Sequence, residues 1–251
     1  MIRDALGRSF DAVHPPRRIV SLVPSVTETL FDLGAGANVA GITDFCIFPP
    51  DLVLPRVGGT KNPRIDLIRE LKPDLVHMNL EENLERHAKE IEMFARVFVS
   101  EPKSVAEAAL CIEDVGVLHG CEARARDLIR SIESQLAALP QRSFTFACPI
   151  WKQPWMWCGG DTYVSSLVAA AGGRNVAGDR TRYPTISIDE IAALRPDVIF
   201  LPDEPYLFTA ADAAALAPIA KRIIGPFPGH LFTWHGTRTI KGLEFLREVR
   251  L

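Results

Sequence analysis

The chain has 251 residues, 47% hydrophobic and 24% charged, an ordinary globular composition with enough length for one large domain or two lobes. Its formal net charge of −3 excludes the basic footprint of a nucleic-acid binder. No apolar run reaches the roughly 18 residues of a membrane span, and the opening MIRDALGRSF lacks a signal-peptide pattern, which predicts either a cytoplasmic chain or one whose signal has been removed.

Residues 1–17 read as an irregular lead-in closed by Pro15-Pro16. RIVSLVP (18–24) predicts a strand. SVTETLFDLG continues as a helix to Gly34, with Ser25 and Glu28 as a capping box. A short strand around 39–43 and a Pro- and Gly-rich loop to residue 63 follow. Residues 64–76, RIDLIRELKPDLV, place Ile65, Ile68 and Leu71 on one face of a short helix, then a Pro-Asp corner and a buried strand. A helix within 79–94 and a strand over 95–100 come next. Helix then dominates: one segment runs to Gly120, with Gly116 as a weak point. Another covers 121–139, where Ala125, Leu128, Ile129, Ile132, Leu136 and Leu139 form one apolar stripe.

After Pro140 the pattern restarts. SFTFACPIW (143–151) predicts a strand, and 162–173 a helix. SIDEIAALRPDVI (187–199) repeats the helix, corner and strand of 64–76, with Ser187 and Glu190 as a capping box. An Ala-rich helix over 210–222, a last strand HLFTWH (230–235) and a closing helix over 237–249 complete the chain. Asp66 matches Asp189 at an offset of 123 (189 minus 66), and GANVAG (36–41) matches GRNVAG (173–178) at 137 (173 minus 36). Strands alternating with helices in two similar halves imply an α/β fold of two Rossmann-like lobes with parallel sheets, joined by a single long helix. The expected boundaries are an N-terminal lobe over 1–120, a connecting helix over 121–139 and a C-terminal lobe over 140–251. The segments that break the repeat, 42–63 and 149–161, are surface loops in this reading, where function concentrates.

Dinucleotide, P-loop and nucleophile-elbow motifs are absent, and no histidine pair has helical metal spacing. This argues against an ordinary hydrolase or NAD enzyme. Cys46, Cys111, Cys121, Cys148 and Cys158 include no C-x-x-C pair, and their odd number leaves at least one free thiol. The segment PIWKQPWMWCGGDTY (149–163) holds Trp151, Trp155, Trp157 and Tyr163, three of the four tryptophans of the chain. Large flat side chains beside Pro and Gly suit a bulky planar ligand, or cover the end of a sheet. Polar residues follow the predicted strands: Glu81, Glu82 and Asn83; Asp203, Glu204 and Tyr206; His235 and Arg238. Carboxylate and imidazole groups on such loops suit a metal or a metal complex, or are solvated loop charges. Asp66 and Asp189 lie in the first turns of their helices, where the helix dipole alone favours an acid.

The stretches DALGRSF, PPRRIVSLVPSVTETLFDLG, VGGTKNPRIDLIRELKPDLV, CGGDTYVSSLVAAAGGRNV and ISIDEIAALRPDVIF together resemble the helical-backbone periplasmic binding proteins of ABC importers for cobalamin, haem and iron–siderophores. The resemblance covers nearly the whole chain. It implies a non-enzymatic, monomeric solute-binding protein that takes a small-molecule metal complex (cobalamin, haem or a ferric siderophore) in a cleft between lobes, with no covalent cofactor. The cleft positions it implies are Phe45, Glu81, Glu82, Trp151, Trp155, Tyr183, Glu204, Trp234, His235 and Arg238. Family members carry one acid on each lobe, usually Glu, to meet the ABC permease; here Asp66 and Asp189 hold those places. The resemblance implies a periplasmic location. IWKQPWM, PDEPYLF and TWHGTR resemble a branch whose members often start without a signal. The alternative is therefore a cytoplasmic metal or tetrapyrrole carrier, or an enzyme, on the same scaffold.

Overall fold

A computed structural model describes residues 1–250. They divide into two compact units, one formed by residues 1–102 and 109–130, the other by residues 103–108 and from 131 onward.

In the first unit, β1 (Ile2–Arg3) and β2 (Ser9–Phe10) pair as a small antiparallel hairpin. Then come β3 (Ile19–Ser21), α1 (Pro24–Asp32), β4 (Val39–Ile42), α2 (Ile65–Glu70), β5 (Leu75–Asn79), α3 (Glu85–Ile91), β6 (Arg96–Ser100) and α4 (Val105–Leu118), which joins this unit from Ala109 onward. The strands β4-β3-β5-β6 make one parallel sheet. Both faces are covered, as parallel sheets require. Along β5 the side chains alternate: Val76 and Met78 join Val20, Ile68, Ile91 and Val97 on one side, and Leu75 joins Phe10, Phe98 and Leu118 on the other.

The helix expected over 121–139 is α5 (Glu122–Ala137), about 24 Å long at 1.5 Å per residue. The division between the units falls within it, after Arg130. Ala125, Leu128 and Ile132 of its stripe are buried. Gly116 is where α4 meets α5: a Cβ there would lie 2.5 Å from that of Ala125. The apparent weak point is thus a close approach that only glycine permits.

The second unit continues with β7 (Phe144–Ala147), β8 (Pro149–Trp151), β9 (Met156–Trp157), α6 (Tyr163–Ala170), β10 (Gly173–Asn175), α7 (Ile188–Leu194), β11 (Val198–Pro202), α8 (Ala210–Leu216), β12 (Arg222–Phe227), α9 (His230–Thr233) and α10 (Thr239–Glu248). Its parallel sheet has the order β10-β7-β11-β12, the same winding as the first. Ile199 and Leu201 face a cluster with Trp157, Ile186, Ile191 and Phe208. Phe200, between them, faces Phe146 and Phe232 on the other side.

The repeated Pro-Asp corner has the same structural task in both units. The Asp74 carboxylate accepts the N–H groups of Arg17 and Arg18 at 2.8 and 3.1 Å, just before β3. The Asp197 carboxylate accepts the N–H and hydroxyl of Thr145 at 2.7 and 2.8 Å, in β7. Lys221, and then those bonds, hold its carboxyl below the ordinary carboxylate range. Each corner ties the third strand of its half to the start of the first. The residue before each proline, Lys72 or Arg195, takes the left-handed conformation (φ 49° and 50°) that ends the helix.

Several expected elements are corrected. Ser25 does not cap α1: Val23 is the cap residue and Pro24 occupies the first helical position. The segment 149–157 is not a plain loop but the antiparallel β8–β9 hairpin. The Ala-rich helix stops at Leu216, followed by a single 3-10 turn. HLFTWH is not a strand. His230–Thr233 is one turn of helix, and the last strand is β12, hidden in the sequence by Gly225-Pro226. Proline is tolerated there because β12 is an edge strand and its register slips between Phe200 and Pro202 of β11. A Cβ at Gly225 would meet the Leu201 carbonyl at 2.3 Å. GANVAG and GRNVAG also differ: β4 begins after Asn38, whereas β10 ends at Asn175. The buried Asn175 amide donates to the Cys158 carbonyl at 2.8 Å, and the chain turns there.

Candidate ligand-binding site

In open α/β units, ligands favour the carboxyl ends of the strands. In the first unit the turn after β4 is fixed by Arg56, whose guanidinium donates to the Thr43 and Cys46 carbonyls at 2.8 and 2.9 Å. Phe45 projects from this turn, 58% exposed. It lies against Gly59, where a Cβ would be 3.2 Å from its ring. After β5, Asn83 acts as a clamp. Its amide donates to the Leu22 and Thr60 carbonyls at 3.1 and 2.9 Å, and its oxygen accepts Asn79 N–H at 2.8 Å. The Asn79 side-chain oxygen in turn accepts the N–H groups of Glu81 and Glu82 at 2.8 and 3.3 Å. Lys61 reaches the Glu81 carbonyl at 2.6 Å. Phe45, Glu81 and Glu82 therefore stand at one end of the first sheet, held there by buried amides.

In the second unit the carboxyl end carries an aromatic cluster. Trp151 meets Tyr206 edge-on at 5.4 Å, Tyr206 meets Phe208 at 4.8 Å, and Trp155 stacks on Phe208 at 5.8 Å and 11°. Trp151 is 42% exposed, and Trp155 and Tyr206 are half-buried. Lys152 pairs with Asp212 at 2.5 Å and lies 5.8 Å from the Trp155 ring centre. Trp157 has a different role from its two neighbours. It is fully buried, with its indole N–H donated to the Ile186 carbonyl at 2.9 Å. Tyr183 sits beside Arg182, whose guanidinium lies 5.8 Å from its ring centre.

A polar cluster adjoins the aromatics through the Glu204–Tyr206 turn. Glu204 accepts the Thr233 hydroxyl at 2.7 Å and a hydrogen bond from Trp234, with Arg238 close enough to favour its charge. Burial outweighs these contacts and raises its carboxyl above the ordinary range. Arg238 lies over the Trp234 ring at 5.9 Å. Trp234, His235 and Arg238 are all buried. They follow helix α9, not a strand, so the strand end to which they were assigned does not exist. The structure thus brings Glu204, Trp234 and Arg238 together. His235 faces elsewhere, edge-on to Tyr163 at 6.4 Å, and burial lowers its pKa to about 4, leaving it neutral at pH 7. Among the described residues no three His, Cys, Asp or Glu side chains form a metal-holding group.

Asp66 and Asp189 occupy equivalent places, exposed in the first turns of α2 and α7. Ser187 and Glu190 form the expected capping box around Asp189, and α2 has no counterpart to it. Sequence reading missed Phe208, Lys152, Asn79 and Thr233. A polar residue closing an apolar strand was the available signal for Asn79. Phe208 and Lys152 have meaning only once the hairpin is folded. No helix among the described residues is long and apolar enough to cross a membrane.

The chain is similar to known binding proteins along most of its length. An uncharacterized ABC transporter substrate-binding lipoprotein, YvrC, of Bacillus subtilis is 27% identical over 98% of this chain and 84% of its own. The vitamin B12-binding protein of Vibrio cholerae serotype O1 is 27% identical over 74% of this chain and 70% of its own. In structure, the periplasmic heme-binding protein RhuT from Roseiflexus sp. RS-1 superposes with a TM-score of 0.78, at 24% identity, covering 92% of this chain and 96% of that one. These relatives are named for binding, not for catalysis, as expected of a non-enzymatic protein. The periplasmic binding protein family model matches residues 19–215, and the chain belongs to that family.

Proposed function

We propose that this chain is the solute-binding component of an ABC importer and that its ligand is cobalamin or another metal-containing tetrapyrrole. The observation that carries the reading is the aromatic cluster ending in the exposed Trp151, set beside the Glu204–Trp234–Arg238 group at the carboxyl end of the second sheet. Aromatic rings offer a flat macrocycle a large contact area at low entropic cost, and a few convergent polar groups fix its orientation. Within the first unit, Phe45, Glu81 and Glu82 stand at the carboxyl end of the sheet. Relatives named for vitamin B12 and haem support the ligand class. The exposed Asp66 and Asp189 supply one acid per unit for a permease. Family membership supports an exported location.

Titration with cyanocobalamin, haemin and a ferric siderophore, followed by tryptophan emission, tests this. Cyanocobalamin or haemin should quench saturably, whereas the siderophore, which has no macrocycle, should not. Trp151→Ala should weaken that binding by about 10–30-fold, the loss of an aromatic hot spot, with little change in Tm because Trp151 is 42% exposed. Failure of both tetrapyrroles to quench saturably would sink the reading, whatever the siderophore does.

A further inference from the structure

Two cysteines stand at the base of the aromatic hairpin. The β8–β9 register sets Pro149 opposite Trp157, so the next pair outward is Cys148 opposite Cys158. Cys158 N–H donates to the Cys148 carbonyl at 2.9 Å, which confirms the pairing. Opposed residues of a hydrogen-bonded antiparallel pair have Cα atoms about 5.5 Å apart and side chains on one face. A disulfide spans Cα separations of about 4.4–6.8 Å. Both side chains are fully buried, and the two thiols are within hydrogen-bonding reach of each other. Cys46, by contrast, is engaged by the Thr27 and Thr43 hydroxyls at 3.1 and 3.2 Å.

We propose that Cys148 and Cys158 are a disulfide site, and that the bridge locks the β8–β9 hairpin in an oxidising compartment. The reaction breaks two S–H bonds and forms one Sγ–Sγ bond. Two protons leave to solvent, and two electrons pass to a protein or low-molecular-weight disulfide, which departs as two thiols. In the folded chain the hydrogen bond it donates to Cys158, together with burial, holds the Cys148 thiol well above its ordinary pKa, which slows exchange. The bridge therefore forms during folding, before the hairpin closes over the pair. It needs no ligand, so it stands or falls independently of the proposed function.

The test is to refold the full chain from denaturant with oxidised glutathione. The expected product has lost two hydrogens, and its peptide map links the fragment holding Cys148 to that holding Cys158, with Cys46, Cys111 and Cys121 open to alkylation. It should melt about 5–8 °C above the same sample after reduction, a difference that Cys148→Ala removes. Five alkylatable thiols after refolding, a bridge between any other pair, or equal melting of the bridged and reduced forms overturns the proposal. The wild-type map and melting pair decide the matter even if the variant fails to fold.

Discussion

Trp157→Ala lowers the stability of the second unit by about 3–5 kcal/mol, the range for truncating a fully buried tryptophan. The side chain is wholly excluded from solvent and stacks on Trp155 at 5.8 Å. It lies in the cluster with Ala147, Ile186, Ile199 and Phe208. Its removal leaves a cavity and strips the Ile186 carbonyl of its 2.9 Å donor. The main chain is held from closing the cavity, because Trp157 N–H donates to the Pro184 carbonyl at 3.0 Å and Ile186 N–H to the Trp155 carbonyl at 3.2 Å. Trp157→Phe keeps part of the packing and should cost less than half as much. Denaturant midpoints at constant m-value check both; a loss below about 1 kcal/mol for Trp157→Ala would contradict the packing described here.

Acidification from pH 7 to pH 5 costs about 2 kcal/mol through each of two buried histidines, one in each unit, and the raised carboxyls of Asp114 and Glu204 return only part of it. Burial lowers the pKa of His119 in the first unit and of His235 in the second to about 4. Unfolded, both titrate near 6.5. Below that value the unfolded chain binds protons that the folded chain excludes, so stability falls with pH. The stabilisation is complete above about pH 6.5 and is lost as pH drops toward 4. In the first unit the Nε2 atoms of His77 and His119 face each other at 2.9 Å. One proton lies between them, and a second would make one ring a buried cation with its N–H set against that of the other. Burial, then the neighbouring His119, hold His77 well below its ordinary value, whereas the Asp74 carboxylate opposes part of the shift at His119. Urea midpoints at pH 7 and pH 5 measure the effect, and equal midpoints would refute it.

Local periodicity was legible in the sequence, and long-range packing was not. The internal repeat was legible because Ile68 and Ile191, and the strands after Pro73 and Pro196, are buried scaffold whose periodicity is local. The common strand order followed from it, since helices alternating with apolar strands wind one way. The last strand was not legible. Gly225-Pro226 marks a turn by local rules, and only the edge position and register slip of β12 accommodate it. HLFTW reads as strand by composition, yet Phe232 is drawn into a cluster with Phe200, Phe227 and Phe245 as a helical turn. The same long-range packing divided the tryptophans: Trp157 became core, whereas Trp151 stayed partly exposed. His235 went to the interior for the same reason, a neighbour, Tyr163, 72 residues away in sequence (235 minus 163). Residue types at the site could be read from the chain; their partners depended on tertiary contacts.

Binding of a metal-containing tetrapyrrole is decided by native mass spectrometry with metal analysis of protein purified from its own source, before and after incubation with cyanocobalamin and haemin. The expected spectrum shows a one-to-one complex whose excess mass and metal content match such a compound. A spectrum showing only the bare chain under every condition would contradict it.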